Sequence, residues 1–271
     1  MDWFDQLRPL LGLALLVAFA WALSENRGQR PSAKWIAGAL GLQAALALLI
    51  IRVPFVWAAM EYLNSGVAAI ERATLKGSSY MFGYLGGAPL PFDVKTGADA
   101  PRIIAFQILP LVIVCSARAA LLCHWGGLRA AVKGLSFLLR RTLGVSGVVG
   151  LAGGANMFLG VVESPLTIRA YFSKVSRAEL FQIMVLAMST ISGAVLVLYA
   201  TTLRETLANP VGHMIAASLV SLPAALLIAK LMVPGGPEDQ ATGTQEGEAG
   251  LKYESSIVAI VNGTMDGIQL F

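Results

Sequence analysis

The sequence predicts an all-α, polytopic membrane protein with transmembrane helices, interfacial amphipathic helices and a re-entrant helical hairpin. Three observations predict it. The 271 residues are 56% hydrophobic and only 13% charged, about half of the roughly 25% that a soluble domain carries, and mean hydropathy is +0.69. Apolar runs of near-spanning length recur along the chain. One stretch, Gly153-Gly154-Ala155-Asn156-Met157-Phe158-Leu159-Gly160-Val161-Val162-Glu163-Ser164-Pro165-Leu166, gathers helix breakers, an amide and a carboxylate in apolar surroundings. No water is at hand there to satisfy a broken backbone or a charge, so such a segment lines a protein-walled cavity.

The first apolar run covers residues 9–23, slightly short for a hydrocarbon core of roughly 30 Å. It follows the acidic start Met1-Asp2-Trp3-Phe4-Asp5. A secretory signal peptide opens with positive charge, so this run reads as a retained span. The second run, 35–51, is closed by Arg52 and Pro54; the third covers 103–123 and the fourth 180–200. The fifth, 211–233, is interrupted by Pro223, and a sixth begins near Ser256 and includes Asn262, Gly263, Asp266 and Gly267.

Two segments are amphipathic rather than apolar. Met60, Leu63, Val67 and Ile70 recur at three- and four-residue steps among Glu61, Glu71 and Arg72. Leu128, Val132, Leu135 and Leu139 do the same, with Arg129, Lys133, Arg140 and Arg141 on other faces. Both read as helices lying in the membrane interface, the alternative being ordinary helices packed on the spans. Residues 86–101, rich in Gly, Pro and Asp, read as an exposed loop. Residues 234–250, PGGPEDQATGTQEGEAG, read as a flexible linker before a new helix.

Basic residues orient the chain. Arg27, Arg30 and Lys34 follow the first run, four basic residues mark the second amphipathic segment, and Arg169, Lys174 and Arg177 follow the Glu163 stretch. The loop 201–210 has only Arg204. The positive-inside rule therefore places the N-terminus outside and both flanks of the Glu163 stretch in the cytoplasm. Residues 52–102, on the outer side, also carry several basic residues, and long segments obey the rule weakly. A segment that enters and leaves on one face is a re-entrant hairpin. Residues 143–166 suffice for two half-helices, with a tip at residues 160–165.

The net charge of +4 reflects basic loops rather than nucleic-acid binding, because no basic patch with interleaved aromatics is present. Cys115 and Cys123 stand eight positions apart, about 12 Å along a helix and too far for a disulfide within it. His124 and His213 are isolated and show no metal spacing. No P-loop, GxSxG or HExxH occurs. One Glu without a paired acid, His or metal cluster is a poor catalytic constellation, so no catalytic residue is assigned.

Glu163 is the strongest functional candidate, a carboxylate needing water, a cation or a donor at membrane depth. Asn156 and unwound carbonyls such as that of Leu159 are suitable oxygen ligands for Na⁺. Ser189, Thr190, Ile191 and Ser192 form a second polar cluster within the fourth run, ended by Gly193. Its hydroxyls serve either a site or internal helix hydrogen bonding. Arg118 lies close enough to the end of its run to snorkel outward, and the depth of Asp266 stays open. Gly/Pro-broken segments at membrane depth are how secondary transporters build their sites.

Asn156-Met157-Phe158-Leu159-Gly160-x-x-Glu163-Ser164-Pro165-Leu166, followed by Ile168-Arg169, resembles the first re-entrant hairpin of concentrative nucleoside transporters. Ser78-Ser79-Tyr80-Met81-Phe82-Gly83, Phe106-Gln107-Ile108-Leu109-Pro110, Leu143-Gly144-Val145-Ser146-Gly147 and residues 257–270 resemble further segments of that family in the same order. The resemblance implies uptake of a nucleoside across the bacterial inner membrane, coupled to Na⁺ or H⁺, with no cofactor beyond the coupling ion. It implies a homotrimer whose early spans act as scaffold. It divides the chain into scaffold spans with an interfacial helix (1–124), a transport-type region with the hairpin and two spans (125–233), a cytoplasmic linker (234–255) and the start of a second repeat (256–271). It places Glu163 at the nucleobase, with Val161 and Val162 beside it where many members carry polar residues, and Val195 against the base. Asn156, the Leu159 carbonyl, Thr190 and the Ile191 carbonyl fall on its sodium-ligand positions.

The second half of the family's transport domain has no counterpart in these 271 residues. The alternative expectation is a half-size membrane protein that binds a nucleoside or a partner without transport. In that case Gly150, Gly154 and Gly160 serve mainly close helix packing.

Overall fold

The computed structural model describes residues 3–29, 31–92, 103–157, 168, 171, 174–191, 193–203, 206–235 and 254–269. They form helices α1 (Trp3–Ala22), α2 (Ala33–Arg52), α3 (Pro54–Phe82), α4 (Ile104–Gln107), α5 (Leu109–His124) and α6 (Gly127–Leu143). These are followed by α7 (Gly147–Asn156), α8 (Arg177–Ser189), α9 (Gly193–Leu203), α10 (Pro210–Met232) and α11 (Ser256–Gln269), with no strand among the described residues. Among the described residues, three helices are long and apolar enough to cross a membrane: Ala33–Arg52, Ile104–His124 (α4 and α5 together) and Pro210–Met232.

Local chemistry explains the boundaries. Ser32 caps α2 by accepting the Trp35 N–H, and Val53, extended ahead of Pro54, ends α2 and starts α3. Gly126 and Gly144, at φ 88° and 59°, make the left-handed turns that join α5 to α6 and α6 to α7. Arg129 folds back to donate to the Cys123 carbonyl at 2.9 Å and the His124 carbonyl at 2.7 Å, closing the C-terminal end of α5. Ser176 and Glu179 form a reciprocal capping box at the start of α8. Buried Glu179 is thereby a structural carboxylate.

The second amphipathic stripe, and Val67 and Ile70 of the first, pack against neighbouring helices. On α6, Val132, Ser136, Leu139 and Leu143 are buried while Lys133 and Arg141 are exposed. The segment around Met60 belongs to α3, which at 29 residues is about 44 Å long. Its Val67 and Ile70 pack on Leu111, Leu196, Val197, Ala200 and Val211. Pro223 does not interrupt the fifth run, because α10 continues through it.

The fourth run is where expectation and structure part. It is not one span: α8 ends at Ser189, Thr190 is extended (φ −121°, ψ 160°), and α9 restarts at Gly193. The polar residues 189–190 break the helix because partners on other elements take up the freed backbone groups. The third run is likewise split at Ile108, just ahead of Pro110.

The core is built around α7, every residue of which from Val148 to Asn156 is buried. Its ten residues span about 15 Å, half a hydrocarbon core. Glycines allow the close approach. A Cβ on Gly154 would lie 2.7 Å from the Val132 carbonyl oxygen of α6, and one on Gly153 would meet Leu186 of α8 at 3.2 Å. At the far end of the chain, α11 lies along α5. A Cβ on Gly263 would lie 2.7 Å from both the Ala120 Cβ and the Ser116 carbonyl oxygen, and one on Gly267 2.8 Å from the Ile113 Cα. This is small-residue packing of the kind that holds helices together in lipid.

One end of the molecule is tied together. The Trp35 indole donates to the Leu143 carbonyl at 2.6 Å, and Lys230 stands 4.4 Å from the Trp35 ring centroid. The Glu25 N–H donates to the Met232 carbonyl at 2.9 Å. Arg177 pairs with Glu25 at 2.5 Å, with side chains 80% and 48% exposed, so the pair adds at most about 1 kcal/mol. The α1–α2 connection, the α6–α7 turn, the start of α8 and the end of α10 therefore share one face.

Gly263→Leu is expected to destabilise the protein by about 1–3 kcal/mol through overpacking against α5. Gly38→Leu, in open space, is expected to leave stability unchanged. Thermal unfolding in detergent checks both.

Candidate functional site: a junction of two interrupted helices

The C-terminal ends of α7 and α8 meet. Asn156, the last residue of α7 and 2% exposed, directs its amide Nδ2 to the Leu186 carbonyl of α8 at 2.7 Å and to the Thr190 hydroxyl. The Thr190 hydroxyl also lies 3.4 Å from the Asn156 carbonyl oxygen. A helix leaves its last four carbonyls without intrahelical donors, and Leu186 and Ser189 both belong to the last turn of α8. An unmet carbonyl in an apolar medium costs several kcal/mol. Asn156 satisfies the first, and the Ser221 hydroxyl of α10 satisfies the second at 2.9 Å. Beyond the break, the Ile191 N–H donates to the Ser218 hydroxyl of α10 at 3.2 Å.

The electrostatics favour a cation. Each helix C-terminus carries roughly half a negative charge, and two of them converge at Asn156 and Thr190. Hydroxyl, amide and freed carbonyl oxygens are the hard donors that suit Na⁺, so the residues present fit such an ion as a transported species. Among the described residues, no cluster of three or more His, Cys, Asp or Glu could hold a metal.

Of the residues singled out from the sequence, Asn156 and Thr190 are in direct contact, and Ile191 follows in the same break. Val195 lies half-buried in the first turn of α9. Leu159, Val161, Val162 and Glu163 lie outside the described residues, as do the hairpin tip and the linker's residues 236–250. Arg118 is exposed on α5, consistent with snorkelling. Asp266 is half-buried on α11, one position before Gly267. Both cysteines are free thiols. Gly150 and Gly154 both face α6, at the Ser136 and Val132 positions. Ser218 and Ser221 escaped sequence reasoning; the available signal was two hydroxyls one turn apart in an otherwise apolar run.

Helix C-termini that converge on a buried polar contact inside an apolar helical bundle fit the way secondary transporters build their sites. A family model described as the Na⁺-dependent nucleoside transporter N-terminus matches residues 11–85, and one described as nucleoside recognition matches residues 105–206. The chain belongs to the concentrative nucleoside transporter family. It is 32% identical to an uncharacterised transporter of Haemophilus influenzae, over 97% of this chain and 60% of that protein. It is 27% identical to the nucleoside permease NupC of Helicobacter pylori, over 98% of this chain and 61% of that one. The human sodium/nucleoside cotransporter 1 is 28% identical over 85% of this chain and 32% of its own length. The structure of CNTnw in an inward-facing substrate-bound state superposes with a TM-score of 0.78 at 28% identity, over 96% of this chain and 61% of that chain. The chain thus spans about 60% of the length of the bacterial relatives it matches.

A double-mutant cycle tests the junction. Asn156→Ala and Thr190→Ala are each expected to lower unfolding stability in detergent by about 1–3 kcal/mol. The pair is expected to show a coupling energy above about 0.5 kcal/mol, since the residues share hydrogen bonds.

Proposed function

We propose that this chain serves cation-coupled uptake of a nucleoside across the bacterial inner membrane, with Na⁺ or H⁺ as the coupling ion. The observation that carries this reading is the convergence of two helix C-termini at the Asn156–Thr190 contact, within a chain of this family. The relatives' names support a nucleoside as substrate, and that of the human cotransporter supports sodium coupling.

In this reading the cation is bound by Asn156, Thr190 and the Leu159 and Ile191 carbonyls. Glu163 hydrogen-bonds the nucleobase, Val161 and Val162 lie beside it, and Val195 supplies an apolar surface. Two valines in place of polar side chains reduce discrimination among bases that differ only in polar groups. Residues 1–124 form the scaffold, and 125–233 move as the transport-type region. Residues 234–255 link them to a second repeat that begins at 256, and the assembly is a homotrimer. A cation that neutralises the converging helix ends favours the substrate-loaded state, which is how ion binding and substrate movement become linked. The protein is a transporter in this reading and performs no covalent chemistry.

The test uses the protein purified from its own membrane and reconstituted in sealed vesicles. Uridine uptake is followed under an inward Na⁺ gradient at fixed pH, then under an inward H⁺ gradient without Na⁺. Acceleration by one gradient is the expected outcome, with Glu163→Gln abolishing it. Binding of uridine without uptake under either gradient replaces transport by the binding-only reading, and undiminished uptake by Glu163→Gln removes that residue's role.

A further inference from the structure

We infer that Ser218 and Ser221 of α10 are positioning residues for the coupling-cation site, holding the Thr190–Ile191 break in the orientation that presents Thr190 to Asn156. This inference rests on the cation-site reading above.

The two serines differ from four other hydroxyl residues of the bundle. Thr74, Thr142, Ser189 and Thr264 each donate to the carbonyl four residues back on their own helix, the default use of a hydroxyl in an apolar helix. Ser218 instead accepts from the Ile191 N–H at 3.2 Å, and the Ser221 oxygen stands 2.9 Å from both the Ser189 and the Ser218 carbonyls, its single proton shared between them. One α10 serine thus holds the backbone before the break and the other holds it after. Between them stands Thr190, whose side chain faces the opposite partner, Asn156 of α7.

Peptide geometry makes this a positional constraint. The described chain contains no cis peptide bond, so the Thr190 carbonyl and the Ile191 N–H point in opposite directions within one rigid plane. Fixing the Ile191 N–H on Ser218 fixes that plane and turns the Thr190 carbonyl away from α10. Ser218 is 3% exposed, so its hydroxyl meets the Ile191 N–H away from the surface. Removing it frees the plane to rotate and leaves a buried N–H unmet. The cation ligands then lose their arrangement, whereas Glu163 and the rest of the hairpin tip lie on another segment.

The experiment measures uridine uptake by the reconstituted native protein and by Ser218→Ala, Ser218→Thr and Ser221→Ala. Na⁺ is titrated from zero at fixed pH, and pH is titrated without Na⁺. Ser218→Ala is expected to raise the half-saturating concentration of the coupling cation about tenfold. Uptake at saturating cation stays near the native value, while the unfolding temperature falls as expected for one unmet buried N–H. Ser218→Thr, which keeps the hydroxyl, is expected to return the cation dependence towards native, and Ser221→Ala to shift it in the same direction as Ser218→Ala. An unchanged half-saturating concentration, with only amplitude or unfolding temperature reduced, overturns the inference in favour of plain helix packing. Uptake by the native protein that ignores both cations defeats the coupling reading instead. Hydrogen exchange at residues 187–195 then decides the positioning separately. Faster exchange of the Ile191 amide in Ser218→Ala upholds it, and unchanged exchange overturns it.

Discussion

Everything at the centre of this protein depends on the need to satisfy broken backbone where water is absent. A helix that stops at mid-depth leaves carbonyls and N–H groups that lipid cannot take up. α7 and α8 end against each other, with Asn156 buried between them. The Asn156 amide takes the Leu186 carbonyl, Ser221 takes the Ser189 carbonyl, and Ser218 takes the Ile191 N–H. The same groups that make the interruption tolerable also gather oxygen donors and two negative helix ends at one point. In the proposed reading, stability and the holding of a cation come from one set of contacts.

The glycines of α7 play a different part. Gly150 and Gly154 lie against α6, and Gly153 lies against Leu186 of α8. With glycine or alanine at six of its ten positions, this helix is buried along its length and delivers Asn156 to the junction. Packing glycines and a functional site are thus compatible: close approach is what places the amide within reach of the α8 carbonyl. Glu179, a buried carboxylate in the same region, is accounted for by its capping box.

Legibility in the sequence followed the range of the interactions concerned. Residues 35–51 and 211–233 were readable because a bilayer dictates the length and polarity of a span. The α6 stripe of Val132 and Leu139 was readable because helix periodicity is local. The polar cluster at 189–192 was visible too, yet whether such a cluster bends, breaks or leaves a helix intact is decided by Asn156, some thirty residues upstream, and Ser218, some thirty downstream. Pro223 is the converse case: the strongest local breaker in α10 leaves that helix continuous. Family resemblance brought Asn156 and Thr190 together before any geometry did. It was silent on the two serines behind them, whose role appears only when α10 is seen against the break.

The joints of this molecule answer to different conditions. The Arg177–Glu25 pair is exposed, and salt at a few tenths molar screens it. The α5–α11 contact, made by Gly263 and Gly267 against Ala120, Ser116 and Ile113, has no charge to screen and few rotamers to freeze. Ionic strength therefore loosens the link between the α1–α2 connection and α8 while leaving the glycine seam untouched, so the two ends of the chain differ in how they register the salt around them.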